Sequence, residues 1–366
     1  MEHFKHSEEE VKEEDVVDES YTPKYTIPTD LPSTLVELHL TSTRISNIEH
    51  LEHLTRLKKL VLRQNTITAL DGLSSLTTLE YLDVYDNKLT TLEPLEKMSK
   101  LAYLDMSFNN LKDHLSPISY LTSLSELYLI HNHIHTKGVE AVDWKALARL
   151  SILELGDNKI RQISALSSLH STLTSLWLGK NKIEKVEGIS HLQGLQRLSI
   201  QNNRLTSFAG VEGLTNLEEL YLSHNGAKAA DGVESLTALT TLDLSHNFIA
   251  SLLPLSTLKN LDEVWASFNP FESTDVLQPL KHLPKVWVLT CCSGQLSHVY
   301  SVDCPVFGRK PFANRSRQRQ AWLPSVCSIV AARFILHRRR SSHRWRTRHG
   351  PKRRPIAAAM TRPAHL

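Results

Sequence analysis

The sequence predicts an α/β fold: a curved right-handed solenoid whose concave side is one parallel sheet. Three observations carry this. Leucines recur at a fixed spacing with a period of about 22 residues. A column of asparagines keeps the same register. All four cysteines (Cys291, Cys292, Cys304 and Cys327) lie beyond the repeating body, so no disulfide framework supports it and a reducing compartment is expected.

A clean copy starts at Leu57, Leu60 and Leu62 and continues through Asn65, Ile67, Leu70, Leu73 and Leu76. The next begins at Leu79, and the register returns from Leu35, Leu101, Leu124, Leu150, Leu173, Leu195, Leu217, Leu239 and Leu261. The asparagine column runs Asn65, Asn87, Asn109, Asn132, Asn158, Asn181, Asn203, Asn225, Asn247 and Asn269, with Thr43 in the first copy. This makes about 11 leucine-rich repeats over residues 31–285. The unit from Leu124 is the longest and carries an insertion around Thr136–Asp143.

The spacing dictates the local structure. Leu57-x-x-Leu60-x-Leu62 contains a short strand whose alternate side chains face opposite sides, with Leu60 and Leu62 pointing inward. The asparagine amide is placed to satisfy backbone groups where the chain leaves the strand. Later leucines point inward from a helical or 3₁₀ return segment. One repeat cannot bury its own apolar edge, but a stack can, and each buried Leu or Ile contributes roughly 1.5–3 kcal/mol before entropy is charged. Stacked at about 4.8 Å, the strands should build a concave edge roughly 50 Å long. Ala227 and Ala230 replace bulkier residues at two core positions, so that repeat should pack less well unless its neighbours fill the gap.

The net charge of +3 conceals two opposed ends. Residues 1–30 begin with an acidic run, Glu8 to Glu19, and are expected to be disordered. Residues 291–366 carry +15, leaving −12 for the rest. The first residues are charged, so no signal peptide is expected, and no apolar run is long enough to span a membrane.

The positions between the strand leucines point onto the concave face: His39, Val61, Asp83, Asp105, Tyr128, Glu154, Trp177, Ser199, Tyr221, Asp243 and Trp265. Two residues earlier in the strands stand Tyr81, Tyr103, Glu126, Glu219 and Glu263. Aromatics and carboxylates on one exposed face are expected to bind a protein patch rich in Arg or Lys. The bland alternative is that the aromatics stiffen the sheet and the acids keep it soluble. Other constellations are weaker. Asp83 and Asp105 imitate a pair of catalytic carboxylates, but nothing points to a closed pocket around them. His131, His133 and His135 alternate near a turn, which does not ensure the convergence zinc needs. Cys291 and Cys292 are adjacent and lack zinc-knuckle spacing. Phosphate-loop, dinucleotide and metalloprotease motifs are absent, so neither an enzyme nor a cofactor is expected.

Several repeats carry individual signatures: Leu62-Arg63-Gln64-Asn65, Asp83-Val84-Tyr85-Asp86-Asn87, Leu104-Asp105-Met106-Ser107-Phe108-Asn109, Leu153-Glu154-Leu155-Gly156, Leu178-Gly179-Lys180-Asn181-Lys182-Ile183, Gln201-Asn202-Asn203-Arg204-Leu205 and Leu220-Tyr221-Leu222-Ser223-His224-Asn225-Gly226. In this order, over about residues 35–285, they resemble the leucine-rich-repeat regulatory subunit of protein phosphatase 1. The resemblance implies a non-catalytic subunit in nucleus and cytoplasm, with a role in the cell cycle. Its concave face would bind the phosphatase catalytic subunit, with a further phosphatase inhibitor subunit as an additional partner. The family's contact positions match Asp105, Tyr128, Glu154, Trp177, Asp243, Glu263 and Trp265 here. Tyr128 and Trp177 stand where relatives can carry Phe. The chain has no Arg/Lys-Val-x-Phe docking motif, in keeping with docking by a surface. The alternatives are a leucine-rich-repeat adaptor of another intracellular complex, or nucleic-acid binding through the basic tail.

The departure from the family is residues 286–366. The register holds through Leu280-Lys281-His282-Leu283-Pro284 and then fails. This segment is read as a retained intron or shifted reading frame that replaces the last repeat and cap. Otherwise it is a disordered basic extension, with Arg338-Arg339-Arg340 and Lys352-Arg353-Arg354 serving nuclear import or nucleic-acid binding. Without a cap, the apolar edge near Leu261–Leu283 is expected to be exposed and weakly stable.

Overall fold

The computed structural model describes Lys12, residues 15–281, and the backbone of 285–292 and 295–300. Each repeat lays down one three-residue strand, from Glu37–His39 to Glu263–Trp265, and each strand pairs in parallel with the next. The middle residue of each strand, Leu38 through Val264, is fully buried. The return segments are mostly 3₁₀ turns such as Ser116–Tyr120 and Leu253–Thr257. The insertion after His135 forms a short α-helix, Thr136–Glu140. Behind it Trp144 is fully buried, its indole Nε1 donating to the Val139 carbonyl at 2.8 Å.

The asparagine column joins successive repeats. Asn158 Nδ2 donates to the carbonyls of Leu129 (2.9 Å), Leu155 (3.1 Å) and Gly156 (3.1 Å), and its Oδ1 accepts from Ile134 N (3.1 Å). In the first copy the Thr43 hydroxyl lies 3.0 Å from both the Leu40 carbonyl and Asn65 Oδ1, which share its one proton. The residue before each member of the column is left-handed although none is glycine, with φ between 52° at His131 and 57° at Phe268. Ala227 and Ala230 are fully buried, and Phe208, one repeat before Ala230 in the same core column, is fully buried too. A large residue thus stands beside the small one, which is how close-packed interiors keep their density.

The ladder is longer at both ends than the sequence predicts. Val16–Asp18, inside the segment expected to be disordered, pairs in parallel with Glu37–His39, and Ile27 and Leu31 are buried in the hydrophobic core. Two adjacent valines can extend a parallel ladder despite the acidic run before them. At the other end Lys285–Cys292 pairs in parallel with Glu263–Trp265, and Gln295–Tyr300 returns antiparallel to it. The apolar edge expected to be exposed is covered. Leu261, Val264, Phe271 and Leu280 are all buried, the last on the 3₁₀ turn Thr274–Leu280 that follows Ser273. Leu283 and the basic run from Arg309 onward lie outside the described residues.

Candidate functional site

Strand alternation puts the flanking residues of every strand on the concave face, and parallel register turns them into two columns. Asp105, Tyr128, Glu154 and Trp177 are direct neighbours on four successive strands. Asp243 neighbours Trp265, and Glu263 lies two residues earlier on the strand of Trp265. The expected residues therefore form two clusters, separated by Ser199 and Tyr221.

Their depth differs from the expectation. Asp105 and Asp243 are buried, at 2% and 7% exposure, rather than presented outward. Each carboxylate accepts from a backbone N–H two residues on: Asp105 from Ser107 and Asp243 from Ser245, both at 2.9 Å, and Asp83 likewise from Tyr85 at 3.1 Å. An aspartate is short enough to fold back on its own turn; a glutamate or tryptophan is not. Tyr128, Glu154, Trp177, Glu263 and Trp265 remain partly exposed.

The floor between Asp83 and Asp105 is electrostatically closed. Arg63, one repeat earlier, bonds Asp83, reaches Asp105 at 3.9 Å and lays its guanidinium over Tyr85 at 4.3 Å. Burial, then the neighbouring Asp105 charge, pushes the Asp83 carboxyl up to about 6 against the pull of Arg63. Burial also raises Asp243, although the Ser245 backbone and the Ser223 and Ser245 hydroxyls oppose it. Sequence reasoning did not assign Arg63 this part, because its column holds residues as different as Thr41, Ser107 and Gly156.

Rings line the rest of the face. Tyr81 and Tyr103 stack at 4.1 Å with planes 3° apart, and Tyr103 meets Tyr128 at 5.4 Å. Trp177 faces Tyr221 at 6.2 Å, with Ser199 between them. The Tyr128 hydroxyl donates to Glu126 at 2.8 Å, and Tyr221 to Glu219 at 2.9 Å. At the N-terminal end, hydrogen bonding from His39, offset by burial and aided by Lys59, holds the Glu37 carboxyl down to about 2. The strand Lys285–Cys292 sets Trp287 in register with Trp265, a column member hidden from sequence reading because no asparagine follows it at the repeat spacing. The three alternating histidines do not converge: His131 pairs with Asp157 at 2.9 Å and His135 with Asp113 at 3.2 Å. Among the described residues no cluster of three or more His, Cys, Asp or Glu is placed to hold a metal, and no helix is long and apolar enough to cross a membrane.

Family models for leucine-rich repeats match residues 55–111, 193–233 and 238–261. A curated relative, the Arabidopsis thaliana "Protein phosphatase 1 regulatory inhibitor subunit PPP1R7 homolog", is 37% identical over 172 residues, 47% of this chain and 39% of its own length. The chain is a leucine-rich-repeat protein, similar over about half its length to that PPP1R7 homolog. Mouse podocan-like protein 1 is 33% identical over 87 residues, 23% of this chain and 15% of its own length. The leucine-rich-repeat protein thus spans well under half the length of either relative. Two solved structures share the fold at 24% identity. An internalin from Listeria monocytogenes has a TM-score of 0.65 over 72% of this chain and 77% of its own. A Leptospira interrogans leucine-rich-repeat protein has 0.59 over 72% and 75%.

Proposed function

We propose that this chain is a non-catalytic regulatory subunit that docks on the catalytic subunit of protein phosphatase 1 through its concave face, in nucleus and cytoplasm. The observation that carries the reading is a carboxylate beside a partly exposed tryptophan in both clusters: Glu154 in register with Trp177 on the next strand, and Glu263 two residues before Trp265 on the same strand. The likeness to a relative named as a phosphatase 1 regulatory inhibitor subunit supports the choice of partner. Tryptophans flanked by acid suit a partner surface bearing Lys or Arg, since the ring supplies apolar contact and the acid a charge. Asp105 and Asp243 contribute from beneath by fixing the turns that follow their strands. Tyr128 extends the first cluster.

The test is binding of the purified phosphatase catalytic subunit to the full chain and to its Trp177→Ala and Trp265→Ala variants, each verified as folded. Tight binding by the parent, weakened by about 2 kcal/mol or more in either variant, is the expected result. Parent-like affinity in both variants would remove the concave tryptophans from the interface.

A further inference from the structure

Several glycines in this fold are demanded by packing. A Cβ on Gly72, Gly194, Gly210 or Gly213 would stand 1.8–2.2 Å from a backbone oxygen of the preceding repeat. Gly156 and Gly179 are different. Neither has a positive φ. A Cβ on Gly156 would meet only the Gly179 carbonyl oxygen, at 3.4 Å, an ordinary contact. On Gly179 it would come 3.2 Å from Cγ of the Gln201 side chain, which can yield. The fold therefore accepts alanine at both places, although glycine is the entropically costlier residue in a folded chain.

Both glycines follow the strands of the first cluster, two residues after Glu154 and Trp177. In the Asp83, Asp105 and Asp243 repeats, the backbone N–H at this position is capped by the aspartate of its own strand. That bond shows that the N–H faces the concave side. No such aspartate precedes Gly156 or Gly179, and among the described residues neither N–H has a hydrogen-bond partner. Ile130 before the pair and Gln201 after it carry long side chains. The result is a strip two repeats wide, about 10 Å, free of side chains of its own, with two N–H donors at its base, Glu154 and Trp177 at its rim, and the movable Gln201 side chain resting against its Gly179 end.

We propose that this strip is the subsite that seats an extended loop of the partner. Backbone carbonyls of the loop accept from the N–H groups of Gly156 and Gly179. A Lys or Arg of the loop lies against Trp177 and Glu154. A carboxylate is the wrong occupant, because Glu154 flanks the donors; a neutral carbonyl next to a cation fits both. The glycines serve close backbone approach, and a methyl group at either would hold the loop off its donors. This rests on the phosphatase reading for the partner's identity but not for the subsite itself.

The experiment compares the full chain with Gly156→Ala, Gly179→Ala and the double variant. One arm measures affinity for the phosphatase catalytic subunit. The other titrates N-acetyl-arginine N-methylamide, a guanidinium flanked by two amide carbonyls, and follows the amide resonances of residues 156 and 179 and the Trp177 indole. The double variant is expected to melt no lower than the parent and to bind the phosphatase about tenfold or more weakly. The probe should shift those resonances in the parent only. Parent-like phosphatase affinity in a folded double variant overturns the subsite and leaves the phosphatase reading standing. A lower melting point overturns it as well, since the glycines would then serve the fold. If the parent binds no phosphatase, that reading falls and the probe decides alone: shifts lost in the double variant support the subsite, and their absence in the parent overturns it.

Discussion

Replacing Arg63 with alanine is expected to destabilise the protein by about 2–4 kcal/mol at pH 7.5. The variant leaves Asp83 and Asp105 side by side, 1% and 2% exposed, without their cation. The figure is set below the full cost of breaking a buried pair because the Arg63 side chain is itself 35% exposed and water shares in its solvation. The loss should depend on pH with a definite sign. Asp83 already titrates near 6 in the folded protein, above the ordinary carboxylate value. Folding thus favours its protonated form, so its ionisation weakens the fold as pH rises through about 6. Without Arg63 that tendency grows, and the pair takes up a proton more readily as pH falls. Urea unfolding of parent and variant at pH 7.5 and 5.0 should show the gap shrinking at the lower pH. A gap that is constant, or larger in acid, contradicts the assigned role of Arg63.

Asn158→Ala should cost about 3 kcal/mol or more. The substitution strands a buried Ile134 N–H and takes a donor from three carbonyls, and each buried group left unmet costs roughly 1–3 kcal/mol. Asn158→Asp should be no better, because it keeps the acceptor for Ile134 but turns a negative charge toward the three carbonyl oxygens. In a stack whose units touch only their neighbours, the damage should be local. Hydrogen exchange should quicken most in residues 124–180 and little near Leu242. An alanine variant within about 1 kcal/mol of the parent would mean that water replaces the amide.

The central repeats were legible in the sequence because one periodicity governs packing and hydrogen bonding together. Leu60 and Leu62 announce the strand, and Asn65 announces the turn and supplies its bonds. Strand alternation likewise brought Glu154 and Trp177 onto one face without any knowledge of a partner. Depth was not legible. Aspartate and glutamate look alike in a column of acids, yet one methylene decides whether the carboxylate reaches its own turn, as at Asp105, or stays on the rim, as at Glu154. The ends were hidden for another reason. Val16–Asp18 and Lys285–Cys292 join the ladder through backbone bonds to a neighbouring strand, and such pairing places few demands on residue type.

The left-handed residue before each asparagine bears on how this molecule changes over generations. Position by position that column holds Gln64, Asp86, Phe108, His131, Asp157, Lys180, Asn202 and His224, all in nearly the same conformation. The geometry is imposed by the bonds on either side, so the residue there contributes little to its own shape. Such a column can drift between acid, base and ring while the architecture stays intact. One edge of the molecule is thereby open to lineage-specific rewriting, and a new contact can be acquired there without first redesigning the protein beneath it.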